Sequence, residues 1–316
     1  VNGLNQISTM TMSADGGRLY VAGYAANGSA SAYSITLFTR NADTGLLTAV
    51  GIVASQGVSG VNGLDAAVSS IVLSADGKSL YTVNGSTAIH GTTGQSDLTT
   101  FSISANGTLT YVGVYTGGSG TPAVYNPSGL VISSDGKNVY VANASGSSIG
   151  VFSRNTDTGA LTYLGVISKT TIAGDSNSGS QPSDDRYLES LQDIVITPDG
   201  GFVYVASGTM GVVSVFSRDS ASGSLTYVQS FSTVSLSGIM VRDLAVSSDG
   251  KYLYVGTYGS NKILVCSIDE DSGALTLSST FAVAGTGGSA HLAVSSDGLS
   301  LYSGTYAFFP GLSLGT

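Results

Sequence analysis

Short apolar segments recur along the chain, and each is followed by an Asp-Gly dipeptide. The segments read MTMS, IVLS, LVIS, IVIT, LAVS and LAVS. A continuous apolar run bounded by turn residues is typical of a strand covered on both faces. Asp-Gly between two apolar runs is a strong hairpin signal. The pattern therefore predicts a series of hairpins, each with an aspartate in its turn. These aspartates are Asp15, Asp76, Asp135, Asp199, Asp249 and Asp297.

Two further strands complete each repeat. The strand after the Asp-Gly turn carries a tyrosine in register, and we expect these tyrosines to be buried. They are Tyr20, Tyr81, Tyr140, Tyr204, Tyr254 and Tyr302. A third strand places one residue at an equivalent position in five repeats, namely Phe38, Phe101, Phe152, Phe216 and Cys266. A second polar turn then opens a fourth strand that reads Gly-x-Leu-Thr in each of these five repeats.

Four strands joined by tight turns and repeated along a chain are the blades of a β-propeller. The Asp-Gly turns are 48 to 64 residues apart, which suits one blade each. The sequence therefore predicts an all-β fold, with residues 1–316 as a single β-propeller domain of four-stranded antiparallel blades. Six repeats are visible and the last is incomplete, so a seventh blade would lie outside a truncated chain. Cys266 is interpreted as a small core residue in place of phenylalanine.

Composition narrows the function classes. The net charge is −9, and the eleven Lys and Arg residues are scattered. Nucleic-acid binding needs a basic cluster to neutralise phosphates, so we expect no nucleic-acid partner. No apolar run reaches the roughly 18–20 residues of a membrane span. Few charges with abundant Ser, Thr, Asn and Gly indicate an exported bacterial protein, located extracellularly, at the cell surface or in the periplasm.

One position concentrates chemistry. The residue six before each Asp-Gly turn should lie at one mouth of the propeller channel, because equivalent positions of radial repeats are related by rotation. These residues are Thr9, Ser70, Gly129, Asp193, Asp243 and His291. Three consecutive repeats thus carry Asp, Asp and His, flanked by Gln192 and Arg242. We interpret these five polar residues as a candidate ligand-binding site.

Three interpretations of this position remain open. Asp193, Asp243 and His291 could bind a divalent cation, Ca²⁺ or Zn²⁺, although no cofactor is required. They could also position a water molecule for general-base catalysis. Alternatively, they cap the ends of the inner strands and form hydrogen bonds with neighbouring residues.

Two other segments are notable. DEDSG at residues 269–273 resembles a calcium loop, but it aligns with four other hairpin turns, so we interpret it as a turn. The insertion at residues 175–190 has no counterpart in the other repeats and is either a recognition loop or a flexible loop. We find no Ser-His-Asp pattern, no phosphate-binding glycine loop and no zinc-type Cys/His spacing.

The repeat also resembles a known group. The unit S-x-D-G-K-x-L-Y-V, then I-x-V-F-S-R, then T-G-x-L-T-Y is similar to that of bacterial lactonase-type propellers. These include 6-phosphogluconolactonase-like and muconate-cycloisomerase-like proteins and surface-layer propellers with YVTN repeats. YVAN stands at residues 140–143 and YTVN at residues 81–84. The resemblance covers Met10 to about Tyr302 and implies seven blades.

The resemblance also carries an expectation for the site. Enzymes of this group have an Arg-His pair at the head of one inner strand, and the equivalent residues here are Arg242 and Asp243. Arginine is retained and aspartate replaces histidine. The chain has only two glutamates, Glu189 and Glu270, which leaves few candidates for the glutamate role in these enzymes.

Three functions follow. The first is a non-catalytic adhesion or interaction propeller that binds a protein or a small polar or saccharide ligand. The second is a lactonase-like hydrolase or isomerase acting on an acidic sugar lactone, although anionic lactones favour several Arg or Lys and only Arg242 is at the mouth. The third is a purely structural module in a larger multidomain surface protein.

Overall fold

The structure is a computed structural model that describes residues 4, 6–27, 30–85, 96–117, 123–168, 187–208, 210–233, 240–283 and 289–305. Every regular element in these ranges is a β-strand, which confirms the all-β class. The chain divides into two compact units. The first comprises Val1–Ser168 and Ala221–Ser224, and the second comprises Lys169–Ser220 and Leu225–Thr316. A single domain over residues 1–316 stays a prediction.

The first unit contains three four-stranded antiparallel sheets, in which each strand pairs with the next along the chain. The first sheet is β1 (Gln6–Met12), β2 (Arg18–Asn27), β3 (Ala30–Arg40) and β4 (Leu47–Ser55). The second is β5 (Val68–Leu73), β6 (Ser79–Asn84), β7 (Ser96–Ile103) and β8 (Leu109–Gly117). The third is β9 (Pro127–Ile132), β10 (Asn138–Asn143), β11 (Ser148–Arg154) and β12 (Leu161–Ser168).

The second unit contains two more sheets of the same kind and the start of another. The fourth sheet is β13 (Leu191–Ile196), β14 (Phe202–Ser207), β15 (Val212–Arg218) and β16 (Leu225–Ser232). The fifth is β17 (Met240–Val246), β18 (Tyr252–Tyr258), β19 (Lys262–Ile268) and β20 (Leu275–Ala282). The described part of the sixth is β21 (Ser289–Val294) and β22 (Leu301–Thr305). Successive sheets of this form are the blades of a β-propeller, which confirms the predicted fold class.

The Asp-Gly turns join the first and second strands of each sheet. At Asp249 the Ser247 hydroxyl donates to Oδ1 at 2.6 Å, and the Lys251 amide donates to the same oxygen at 3.1 Å. These hydrogen bonds, the Ser247 bond first, lower the pKa of Asp249. Gly250 has φ of 75°, a left-handed conformation that glycine adopts without steric cost. The dipeptide therefore sets the turn through both side chain and backbone.

The tyrosine register is confirmed in four sheets. The side chains of Tyr20, Tyr81, Tyr140 and Tyr204 are buried. Tyr254 is half-buried. For Tyr302 the expectation of burial is wrong, because its side chain is 63% exposed. In the described residues β22 pairs only with β21, and no third or fourth strand of this sheet is described that would cover Tyr302 as its equivalents are covered.

The third-strand equivalence is also confirmed. Phe101, Phe152, Phe216 and Cys266 are fully buried, and Phe38 at the same position of the first sheet is half-buried. Cys266 pairs with Leu253 of β18 and belongs to the apolar core of the second unit. Burial raises the pKa of the Cys266 thiol to about 12. The cysteine is therefore a core residue, as predicted.

No helix in the described residues is long and apolar enough to cross a membrane.

Candidate functional site

Each inner strand of the second unit carries an extra residue near its start. In β13 Leu191 pairs with Ser207 and Asp193 with Ala206, which leaves Gln192 unpaired between them. The same register shift leaves Arg242 unpaired in β17. Such β-bulges re-aim side chains and are frequent next to functional sites. The bulges place Asp193 and Asp243 directly after a residue that leaves the strand ladder.

The first unit has the same bulge, with serine in each case. Ser8, Ser69 and Ser128 occupy it, and each hydroxyl donates to a carbonyl oxygen of the second strand at 3.1 to 3.3 Å. Serine therefore closes the bulge locally in the first three sheets. Gln192 and Arg242 replace this short hydroxyl with long polar side chains. The second unit thus differs from the first at one repeated position.

Both aspartates connect neighbouring inner strands. The Leu244 amide of β17 donates to Oδ2 of Asp193 at 2.9 Å. The Leu292 amide of β21 donates in the same way to Oδ2 of Asp243. Ser70 has the corresponding contact in the first unit, where it accepts a 3.4 Å bond from the Leu130 amide. These contacts are hydrogen bonds to neighbouring residues, as the third interpretation expects for the two aspartates, and they use Oδ2 of each carboxyl group.

The remaining polar groups lie around Asp243. His291 Nδ1 is 3.9 Å from Asp243 Oδ1, and the His291 side chain is 81% exposed. Arg242 is exposed, and its Nη1 donates to Gln192 Oε1 at 3.2 Å. Gln192 Nε2 in turn donates to the Ser190 carbonyl at 3.2 Å. The structure thus brings all five predicted residues together, and we call Gln192, Asp193, Arg242, Asp243 and His291 the bulge site.

The two carboxyl groups of the bulge site have raised pKa values, with partly different causes. Burial raises the pKa of Asp193 well above its usual value, and the Asp243 charge raises it further. Burial also raises the pKa of Asp243, to about 6, although the Leu292 amide, His291 and Arg242 oppose the shift. Like charges disfavour ionisation of both groups. Burial therefore favours the protonated form of both carboxyl groups, and at Asp243 the Leu292 amide, His291 and Arg242 favour the charged form.

The metal prediction gains no support from this geometry. Among the residues that the structure describes, no group of three or more His, Cys, Asp or Glu side chains is arranged to hold a metal ion. The physical reason is that Asp193 and Asp243 each direct one oxygen to a backbone amide of the next strand.

Other sequence predictions have clear outcomes. The DEDSG segment is a hairpin turn between β19 and β20, as predicted, and Asp269 Oδ1 accepts bonds from the Ser272 amide and hydroxyl. Glu270 in the same turn is 3.7 Å from Lys251 in an exposed ion pair. Residues 175–186 of the insertion lie outside the described residues.

The bulge site combines a carboxylate of raised pKa with an exposed guanidinium. A carboxylate with a pKa near 6 can accept a proton at neutral pH. An exposed guanidinium beside it can stabilise negative charge on a carbonyl oxygen. The sequence identified these residues through their offset from the turns. It missed the bulge, although the residues seven before each turn read Ser, Ser, Ser, Gln, Arg and Ala, a change that marks it.

The fold and this site define a β-propeller with polar chemistry at the start of its inner strands. The family model described as lactonase, 7-bladed beta-propeller matches residues 62–171 and 167–292. The chain belongs to this seven-bladed lactonase propeller family. A search of curated proteins finds no match.

Solved structures show the same fold. The periplasmic gluconolactonase PpgL of Pseudomonas aeruginosa is 19% identical with a TM-score of 0.70, over 94% of this chain and 77% of that one. A Bacteroides uniformis protein assigned as a 6-phosphogluconolactonase is 21% identical with a TM-score of 0.69, over the same shares. A Lactobacillus plantarum protein is 17% identical with a TM-score of 0.54, over 89% of this chain and 86% of that one. At these identities the likeness establishes the fold alone.

Proposed function

We propose that the chain is a lactonase-like hydrolase acting on a sugar lactone at the bulge site. The observation that carries the proposal is the position of exposed Arg242 directly before Asp243, a half-buried carboxyl group whose pKa is raised to about 6. Membership of the lactonase propeller family supports it. This reading replaces the non-catalytic adhesion propeller as the leading function, because no comparison supports that role.

Asp243 acts as the general base. Its ionised carboxylate takes a proton from water, and the resulting hydroxide forms a bond to the lactone carbonyl carbon. The bond from that carbon to the ring oxygen then breaks, and the ring oxygen receives the proton from Asp243. The product is the open hydroxy acid. General-base catalysis of this kind contributes about 10²- to 10⁴-fold.

Arg242 stabilises the negative charge that forms on the carbonyl oxygen. Gln192 fixes its guanidinium through the 3.2 Å bond to Nη1, and the other N–H groups remain to face a ligand. Negative charge develops on the carbonyl oxygen during attack, and a preorganised donor stabilises that charge more than it stabilises the ground state. Exposed His291 is available to hydrogen-bond the sugar hydroxyls.

Hydrolysis of glucono-1,5-lactone by the purified protein tests the proposal. The expected rate exceeds spontaneous hydrolysis, and Asp243→Asn should lower kcat by about 100-fold or more. Arg242→Gln should lower kcat/KM by a similar factor, about 10²-fold for one lost oxyanion donor. Lys251→Gln is the matched control, because Lys251 is in an exposed turn, and it should leave the rate unchanged. Activity should survive dialysis against EDTA, since no step uses a metal ion.

Ligand binding without turnover would contradict the proposal. If wild-type protein binds a saccharide or lactone in calorimetry but never exceeds the spontaneous rate, the bulge site is a binding module. A rate that Asp243→Asn leaves intact would place the chemistry elsewhere.

An exported location is part of the proposal. The low charge content and the polar composition support it, and the neighbouring structure PpgL is described as periplasmic. Fractionation of cells that express the full gene, with a periplasmic marker as reference, tests this location.

A further inference from the structure

We infer that the bulge site selects an uncharged polyhydroxy lactone over its phosphorylated form. This inference rests on the proposed function, and it concerns the charge of the substrate. It follows from the number and placement of cationic groups among the described residues of the second unit.

Arg242 is the one Lys or Arg side chain of the bulge site, and it lies beside a carboxylate. The Asp243 carboxylate is the next residue and feels the guanidinium, which acts to lower the Asp243 pKa. Gln192 accepts one of the Arg242 N–H groups. A phosphate dianion would have to compete with Asp243 for a single cation. Phosphate sites normally provide several Arg or Lys donors or a helix N-terminus, and the described residues contain no helix.

The other described cations of this unit lie at a distance from the site. Arg218 ends β15 and donates to the Gly200 carbonyl in an Asp-Gly turn. Lys251 is in the turn that follows β17 and faces Glu270. Ser247, which directly follows β17 and begins the turn that contains Lys251, is four positions after Asp243. Four positions correspond to about 13 Å of strand. These two side chains therefore serve the opposite end of the inner strands.

Lys262 is the next cation to consider among the residues of this unit that the structure describes. It begins β19, and its neighbour Ile263 pairs with Gly256, which pairs with Asp243. Two strand spacings separate β19 from β17, or about 10 Å. At that distance Lys262 is peripheral to the carboxylate that performs the proposed chemistry.

The groups at the site suit neutral hydroxyls instead. The Gln192 amide, the Asp243 carboxylate and the His291 imidazole offer both donors and acceptors. Sugar hydroxyls can satisfy both kinds of group without adding charge. A phosphate would place two negative charges beside an ionised carboxylate, which repels them.

Competing substrates test the inference. We would measure kcat/KM for glucono-1,5-lactone and 6-phosphoglucono-1,5-lactone at pH 7 with wild-type protein. The expected ratio favours the unphosphorylated lactone by about 10-fold or more, because one additional unmet charge interaction corresponds to roughly that factor. Gln192→Lys should narrow this ratio by improving kcat/KM for the phosphorylated lactone. Gln192→Met is the uncharged control and should leave the ratio in favour of the neutral substrate.

Lys262→Met tests the alternative that Lys262 binds the phosphate group of a phosphorylated lactone. The inference expects this variant to leave the ratio unchanged. An equal or higher kcat/KM for the phosphorylated lactone would overturn the inference and leave the hydrolase proposal standing. A wild-type ratio that depends on Lys262 would also overturn it. If neither lactone is hydrolysed above the spontaneous rate, the proposed function itself fails, and the inference fails with it.

Discussion

The Tyr204 hydroxyl donates a 2.9 Å hydrogen bond to the carbonyl oxygen of Gly273, which is 69 residues later in the chain. Tyr204 is in the second strand of one sheet, and Gly273 is in the outer hairpin of the next. The same bond joins Tyr20 to Gly107 and Tyr81 to Gly159 in the first unit. In these three repeats the tyrosine therefore fills a core and also connects one sheet to the hairpin of the following sheet.

Two substitutions of Tyr204 should separate the contribution of its hydroxyl from that of its ring. Tyr204→Phe removes only the hydroxyl and leaves the Gly273 carbonyl unpaired, which should cost about 1 to 2 kcal/mol. Tyr204→Ala also removes a fully buried ring, and should cost about 3 to 5 kcal/mol. Urea denaturation measures both losses as changes in the free energy of unfolding.

Tyr302→Ala is the matched control for this pair. Tyr302 has the equivalent sequence position but is 63% exposed, so its loss should be under about 1 kcal/mol. An equal loss at Tyr204 and Tyr302 would show that the recurrence of tyrosine, and not its burial, decides its contribution.

This contrast shows what the sequence could predict. The strands, the turns and the core role of Cys266 were predictable because each repeat records the same local packing. The burial of Tyr302 was not, because a pattern within one repeat carries no information about which strands cover it. Burial in a blade depends on neighbouring sheets, and β22 has one paired strand in the described residues.

The site was predictable only in part. The offset from the turns brought Asp193, Asp243 and His291 together on consecutive strands. It could not reveal that the carboxylates accept hydrogen bonds from the backbone amides of Leu244 and Leu292, because a backbone donor has no sequence signature. These contacts determine how many carboxylate oxygens remain for a ligand.

Arg154 provides a second stability prediction. Its side chain is 1% exposed, and its Nη2 is 3.1 Å from Asp76 Oδ2. Its Nε also donates to the Tyr81 hydroxyl at 2.8 Å, and Nη1 donates to the Gly136 carbonyl. Arg154→Met should cost about 3 kcal/mol, because it leaves several buried acceptors unpaired. Thermal or chemical denaturation measures the loss.

Lys251→Met serves as the control for Arg154→Met. The Lys251 and Glu270 side chains are 58% and 73% exposed, and such pairs contribute about 0 to 1 kcal/mol. A loss at Arg154 no larger than the loss at Lys251 would contradict a structural role for the buried network.

Cys266 should be inert in the folded protein. Burial raises its pKa to about 12, so the thiolate that attacks disulfide reagents is almost absent at pH 8. Ellman's reagent should therefore react with native protein only as fast as the protein unfolds, and rapidly after denaturation in guanidinium. Immediate reaction of the native thiol would show that the β18–β19 face is open to solvent.

Asp243 provides the last prediction, which concerns pH. Its pKa is raised from 3.8 to about 6, and the groups that face it are Asp193, His291 and Arg242. A carboxyl whose folded pKa is raised binds its proton more tightly in the folded state. Its stabilising contribution is therefore complete below the unfolded pKa and is lost as pH rises through the folded pKa.

Asp243→Asn isolates this contribution because the amide is neutral at every pH and keeps an oxygen acceptor for the Leu292 amide. Wild type and variant should differ little in stability near pH 3.5. Between pH 4 and 7 the free energy of unfolding of the variant should rise relative to that of wild type by up to about 3 kcal/mol, at about 1.4 kcal/mol per pKa unit.

Over the same range the wild-type kcat/KM for the lactone should rise with a midpoint near 6, because the ionised carboxylate is the base. Carboxyl-carbon NMR titration provides a direct measurement, with Asp249 as the reference because its turn hydrogen bonds lower its pKa. If Asp243 titrates together with Asp249 below 4, burial does not hold its proton, and the carboxylate has no special readiness to act as a base at neutral pH.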